Sequence, residues 1–414
     1  MPANIQTNKL FLASRIALIA TAMTFAFRAA LPDIWGNEFH LTNEQLGWIF
    51  APAFYGFTLA MIFGGPLCDV IGMKPLLGIA FFGHFIGVII YLVAKDATML
   101  FIGTLFIGIA NGMVEAACNP LVVTLYPNNK TTMLNRFHVW FPGGIGIGGV
   151  LAYLFLEKMH LDWRVLICLL FIPTIIYGFL FWRLELPKTE RVSKGISTKE
   201  MFTSCLNPLY IIMILCMFMT AGTELGTNTW LVALLNGAGV SGILILVFIN
   251  GVMAVGRSFA GPFVHRFNPN GMLIFSALFA GIGLLLLSQA SGVAAVGAAL
   301  VFAIGICFFW PTMLGFVSEY LPKTGALGLS LMGGAGMFST SLIIPVMGRW
   351  FDVAKAKAID TGMDAVKADA VAGSDTFLKV AIMPAILLVV FIVIYVARKK
   401  QEHSKSQSFS NSIV

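Results

Sequence analysis

Asn111, Glu115 and Asn119 recur at every fourth residue inside a long apolar stretch, a spacing that puts three polar side chains on one stripe of a helix. A second apolar stretch holds Thr223, Glu224, Thr227, Asn228 and Trp230, with Glu224 and Asn228 one turn apart. An ionisable side chain at the centre of a membrane helix costs about 2.5 to 3.5 kcal/mol to insert, so one retained there is a functional candidate. Amides and carboxylates bond the hydroxyls of a sugar in pairs, and an indole covers the apolar C–H face of its ring. Either carboxylate can also carry a coupling proton, because protonation removes the charge that a closing cavity would have to desolvate. A purely structural cross-link would need only an amide, so Glu115 is the first coupling candidate and Glu224 the second.

Other polar residues extend this set. Arg28 is a base within the first apolar stretch, and it precedes Glu224 by the spacing that separates Gly65 from Gly261. If the chain has two like halves, Arg28 and Glu224 lie at matched depths on opposite cavity walls; Arg28 near an outer rim would instead snorkel outward. His138 follows Leu134, Asn135 and Arg136 and precedes a run of glycines. It either lines the cavity, shares a proton with Glu115, or packs. Trp310-Pro311 sets an aromatic face beside a break in a helical ladder, which suits a stacking platform or a kinked gate. His84 has no polar neighbour in sequence and reads as structural. The six cysteines are scattered without metal-ligand or disulfide spacing and read as apolar packing residues.

These residues need a membrane scaffold to position them. Apolar residues make up 58% of the chain and charged ones 11%, with a mean hydropathy of +0.89, which no soluble surface allows. Twelve stretches reach the roughly 20 apolar residues that span a bilayer, with cores near 11–32, 45–66, 75–94, 98–126, 134–156, 164–184, 207–235, 241–264, 271–289, 294–320, 326–350 and 376–397. They are continuous rather than alternating, so the fold class is an all-α membrane protein and not a barrel. The pattern Gly65-Pro66, Asp69, Gly72, Lys74 returns in weaker form as Gly256, Arg257, Gly261-Pro262, His265, Arg266. This echo predicts two six-helix halves, residues 1–186 and 204–397, related by a pseudo-twofold axis along the membrane normal. A basic linker at 187–203 joins them, and the tail at 398–414 is expected to be disordered.

Lys74, Lys130, the linker bases and the tail bases fall on one face, which the positive-inside rule makes cytoplasmic, with both termini on that side of a cell's inner membrane. The net charge of +7 is thus a matter of topology, and nucleic acid is not an expected partner. The first segment has no cleavage-site pattern and is expected to stay in the mature chain. With no nucleophile-base pair, metal cluster or phosphate loop in the sequence, an enzyme is excluded, no cofactor is expected beyond a coupling ion, H+ or Na+, and the chain is expected to be a monomer.

The loop from Gly65 to Lys74, G-x-L-x-D-x-x-G-x-K, resembles the signature between the second and third helices of the major facilitator superfamily. V-E-A-A-C-N-P at Val114–Pro120, L-N-R-F-H at Leu134–His138, G-T-E-L-G-T-N-T-W-L at Gly222–Leu231 and V-G-R-S-F-A-G at Val255–Gly261 are similar to segments of its fucose:proton symporters and related sugar transporters. The resemblance implies that Glu115 is the protonatable carboxylate, that Asn119 and His138 border the sugar, and that Asp69, Gly72, Lys74 and Arg257 act in the cytoplasmic gate, with Arg136 and Arg266 at the same end. It departs in one respect: those symporters carry an aspartate four residues before a proline in the first helix, where this chain has Arg28 before Pro32. A base there opens the way to an acidic sugar or another carboxylate as the solute. The expected function is secondary active transport, a proton- or sodium-coupled symport importing a sugar or sugar-derived acid by alternating access. The alternatives are a proton-coupled exporter of amphipathic compounds, an organic-anion transporter using Arg28, and a non-transporting membrane receptor.

Overall fold

Inside hydrocarbon every backbone N–H and C=O must be satisfied by the chain itself, and continuous apolar runs do this as helices. The computed structural model describes residues 3–41, 43–228, 242–290 and 293–411, and no strand occurs among them. Eleven helices are long and apolar enough to cross a membrane: α1 (Gln6–Ala29), α2 (Gln45–Ile71), α3 (Met73–Leu92), α4 (Ala97–Leu125), α5 (Lys130–Lys158), α6 (Trp163–Arg183), α7 (Pro208–Gly226), α9 (Ala260–Leu287), α10 (Val293–Tyr320), α11 (Pro322–Asp360) and α12 (Ala365–Lys400). The shorter α8 (Gly242–Ser258) completes the twelve. Trp230 lies outside the described residues.

The expected two-halves architecture holds. Across the interface α2 packs along α11 and α8 along α5, each half contributing the same two positions, and within the halves α3 lies on α4 as α9 lies on α10. The turn between α2 and α3 uses Gly72 at φ 89°. At the matching place in the second copy stands Asn268 at φ 53°, a left-handed conformation that Asn tolerates best among residues with a Cβ. Its side-chain Oδ1 accepts from the N–H groups of Asn270 (3.0 Å) and Gly271 (3.1 Å), starting the rest of α9.

Several of the spanning helices are interrupted, α5, α7 and α10 among them. α5 is α-helical over Lys130–His138 and Trp140–Ala152 and π-helical over Tyr153–Lys158. α7 turns π-helical at Gly222–Gly226, and α10 breaks between Ile306 and Phe309. Between the halves the chain forms two short helices, Glu190–Ser193 and Thr198–Ser204. At the far end, the tail expected to be disordered continues the last helix to Asn411. Lys, Arg, Gln and Glu are good helix formers, and extending a packed helix carries no nucleation penalty.

Glycine sets the closest approach between the halves. A Cβ on Gly65 would stand 2.7 Å from the Ser330 Cβ and 3.1 Å from the Leu327 Cα on α11, whereas one on Gly78 would meet nothing within 4 Å. Gly65→Leu should therefore destabilise the protein by about 1 to 3 kcal/mol through overpacking, while Gly78→Ala leaves stability unchanged or slightly raised. Thermal unfolding in detergent of both variants checks this; equal melting temperatures would remove Gly65 from the interface account.

Candidate functional site: a polar network between the two halves

Two prolines set up the centre of the molecule. A helical proline has no N–H to give the carbonyl four residues before it; Pro142 thus leaves the His138 carbonyl without its usual donor, and Pro311 does the same to Cys307. Arg257, on α8 and 1% exposed, takes both. Its Nε donates to the Cys307 oxygen (2.6 Å), Nη1 to the His138 oxygen (3.1 Å) and Nη2 to Glu224 Oε1 (3.0 Å). Glu224 is 3% exposed and lies within the π-helical turn of α7. A buried guanidinium persists only with a counter-charge and filled donors, and Arg257 obtains both, the His138 contact reaching across from the first half.

The other side of that contact is also polar. His138 Nε2 lies 3.1 Å from Asn119 Oδ1 and 3.8 Å from Glu115 Oε2, and Asn119 Nδ2 donates to Glu115 Oε2 at 2.6 Å. Glu115, Asn119 and His138 are each buried. A continuous chain thus runs Glu115, Asn119, His138, Arg257, Glu224, joining α4 and α5 of one half to α7, α8 and α10 of the other. Among the described residues, Glu224 Oε2 and, one turn on, Asn228 Oδ1 have no hydrogen-bond partner, nor does Nε1 of buried Trp310, whose ring faces Gly336.

Asn111 does not belong to this cluster. Each four-residue step on an α-helix overshoots a full turn by about 40°, and over two steps Asn111 is turned into the first half. There its Oδ1 faces His84 Nε2 (2.8 Å) and its Nδ2 donates to Thr24 Oγ1 (3.0 Å). His84, read from sequence as lacking polar company, also meets the Tyr177 hydroxyl through Nδ1 (2.9 Å). Arg28 is not the partner of Glu224: its guanidinium carbon lies 4.6 Å and 4.9 Å from the ring centroids of Phe25 and Phe54, while Glu224 takes its base from α8.

The gate residues separate likewise. Arg257, expected beside Asp69, sits in the central network because the carbonyls freed by the prolines lie there. Asp69 is paired instead with Arg191 of the linker (2.7 Å) and accepts from the Thr189 hydroxyl. Lys74 donates to the carbonyls of Trp182 (2.9 Å) and Leu184 (3.1 Å), holding the end of α6. Arg136 is exposed, and Arg266 lies over its neighbour Phe267. Sequence reasoning missed the linker's part: Glu190 accepts two bonds from Lys130, which also donates to the Ser318 carbonyl of α10, and Glu319 accepts from the Thr131 hydroxyl. The interleaved acids and bases of 189–200 are the signal that could have found it.

A twelve-helix bundle whose halves meet over buried charges has the build of a membrane transporter. The chain belongs to the Major Facilitator Superfamily, whose profile matches residues 14–345, and is a multi-pass membrane transporter rather than an enzyme. It is 30% identical over 168 residues to monosaccharide-sensing protein 3 of Arabidopsis thaliana, covering 38% of this chain but only 22% of that protein. It is 25% identical over 361 residues to a gallate transporter of Pseudomonas putida, covering 75% of this chain and 77% of that one. The fold is also that of the E. coli fucose:proton symporter FucP, with a TM-score of 0.70 and 16% identity over 94% of this chain and 99% of the other.

Two outcomes follow from the geometry. Pro311→Ala restores a donor to the Cys307 carbonyl, so Arg257 loses an acceptor worth about 1 to 3 kcal/mol. Combined with Arg257→Gln it should cost less than the sum of the two single changes; strict additivity in denaturant unfolding would show that the carbonyl and the guanidinium are not coupled. At the linker, burial opposes ionisation of Glu190, but the ammonium groups of Lys130 and Lys194 outweigh it and hold its carboxyl below the usual range. A lowered folded-state pKa gives stabilisation that is present at neutral pH and lost as pH falls below the ordinary Glu value of about 4.3. Protease protection of the linker should fall in that window for the wild type and be pH-independent in Glu190→Gln.

Proposed function

We propose that the protein is a cation-coupled symporter that imports a small hydroxylated solute, a sugar or sugar-derived acid, by alternating access. The observation that carries this reading is the buried chain from Glu115 through Asn119, His138 and Arg257 to Glu224, which spans the joint between the halves. Groups so placed change partners when the halves rock, and a solute that supplies hydroxyls can replace them. Glu115 is the coupling group: its partners are an amide and an imidazole at 3.8 Å, whereas Glu224 already has a guanidinium. Asn119, His138, Asn228 and Trp310 contribute solute contacts, with Trp230 beside them in sequence.

Gating belongs to the linker end, where the pairs of Asp69 with Arg191 and Lys130 with Glu190 tie the linker to the first half and Lys130 and Thr131 bond Ser318 and Glu319 of the second; these half-to-half bonds must part for that end to open. That end faces the cytoplasm of a cell whose inner membrane holds the protein, and the termini lie on the same side, in keeping with the bases on it. The relatives are consistent with this reading, since one transports fucose with protons and another is named for gallate.

Uptake into proteoliposomes tests the coupling. Glu115→Gln should abolish accumulation driven by a pH gradient while exchange of preloaded solute persists. Unchanged gradient-driven accumulation in this variant would sink the assignment, and dependence on a sodium gradient alone would replace the proton with sodium.

A further inference from the structure

Arg28 presents a charge that the chain does not balance. It lies half-buried near one end of α1, within the membrane-spanning bundle, and none of the ion pairs or side-chain hydrogen bonds among the described residues includes it. Asp33, the nearest acid in sequence, is exposed and forms no ion pair with it, and Glu38 is committed to Trp163 and Arg164. Its contacts are with aromatic faces, Phe25 and Phe54. Ring faces hold a guanidinium by its plane and leave the N–H groups around its edge unspent. An unpaired base in such a place is expensive unless something brings it an anion.

The surroundings agree. Arg28 and Trp35 line one small enclosed cavity, together with Thr24 and Tyr91. Trp35 is 0% exposed and its Nε1 has no acceptor. The hydroxyls of Thr24 and Tyr91 are already engaged, the first by Asn111 and the second by Thr104. Two donors without acceptors and no acid nearby are the complement of a carboxylate, which takes a guanidinium in a two-pronged fork.

The cavity itself lies inside the first half, between α1, α3, α4 and α6, and it is the aromatic contacts of Arg28 that point toward the joint. Phe25 packs edge-on against Phe141 of α5 (5.4 Å) and Phe54 of α2 (6.3 Å), and α2 and α5 are the helices that meet the second half. α1 starts beside the linker, where Gln6 bonds the Glu185 carbonyl, and Thr24 is level with Asn111. Arg28 is thus one turn above that level and Glu115 one turn below, about 12 Å apart along the bundle.

We infer that Arg28 is a carboxylate subsite, and that the transported solute is a small hydroxylated monocarboxylate rather than a neutral sugar. This rests on the symport reading and narrows it. The same donors would also accept a free inorganic anion, so the test includes one.

Thermal stabilisation of the purified protein is measured with two matched pairs, gluconate against glucose and 4-hydroxybenzoate against 4-hydroxybenzamide, and with sodium chloride alone at equal ionic strength. At least one acid should bind roughly ten- to a hundredfold more tightly than its neutral partner, the range a charged hydrogen-bonding pair supports. Arg28→Gln should erase that preference and Arg28→Lys keep part of it, with Arg28→Gln melting no lower than the wild type in the absence of ligand. Stabilisation by chloride alone, equal binding of acid and neutral partner, a preference that survives in Arg28→Gln, or no acid-dependent stabilisation in the wild type each overturns the inference. Accumulation of glucose and gluconate alike under a pH gradient would remove the subsite and leave the symporter standing; acid preference without accumulation would do the reverse.

Discussion

The arrangement depends on how a fully buried guanidinium finds acceptors for its N–H groups. Arg257 is buried at the joint of the two halves, and three acceptors face it: a carboxylate and two backbone carbonyls. Neither carbonyl would be free in an unbroken helix, since each would be bonded within its own ladder. The prolines that release them are remote from Arg257 in sequence and lie on two helices, α5 and α10, that belong to different halves. The cost of the buried charge is thus offset by defects in the helices around it, and the site exists only where those defects converge.

Because one of the three acceptors belongs to the opposite half, the centre of the molecule is also a joint. The Glu224 and Cys307 contacts hold Arg257 within the second half, and the His138 contact alone carries the network over to Asn119 and Glu115. The linker end is held in another way: ion pairs tie residues 190 and 191 to the first half, while Lys130 and Thr131 bond Ser318 and Glu319 of the second half and Arg191 packs on Gly325. Both pairs are largely buried, so each must be taken apart as a unit, since a buried charge left without its partner is costly. The close glycine contact of Gly65 with α11 lets the backbones come near enough for both sets to form.

Much of this was legible in the sequence, and the reason is local. Apolar runs of membrane-spanning length, the repeated Gly-Pro pairs and the one-sided bases are properties of short segments, and they are enough for twelve helices in two halves. Glu115, Asn119 and His138 meet in space, which was legible because the first two stand one turn apart on a helix and the third lies in a motif read alongside theirs. Asn111 was misplaced because angular drift along a helix moves a polar stripe to another neighbour after two turns. His84 and Arg191 were missed because their partners, Tyr177 and Asp69, are distant in sequence, and only packing brings them together. The break at Pro311 was legible, but which donor would claim the carbonyl it frees was not, and Pro142 carried no signal of its own among the glycines around it.

The pseudo-symmetry explains why two matched positions carry such different chemistry. Arg28 occupies in the first half the place that Glu224 holds in the second, and by the same offset the place of Arg257 is taken in the first half by Met61. Met61 is fully buried and fills the space against Gly333 and Gly334 of α11. The second half therefore supplies an acid with its own base, whereas the first half supplies a base and puts a thioether where a counter-charge would stand. A buried acid with its own base has its charge balanced within the half, whereas a base left unbalanced at the corresponding position is available to a ligand.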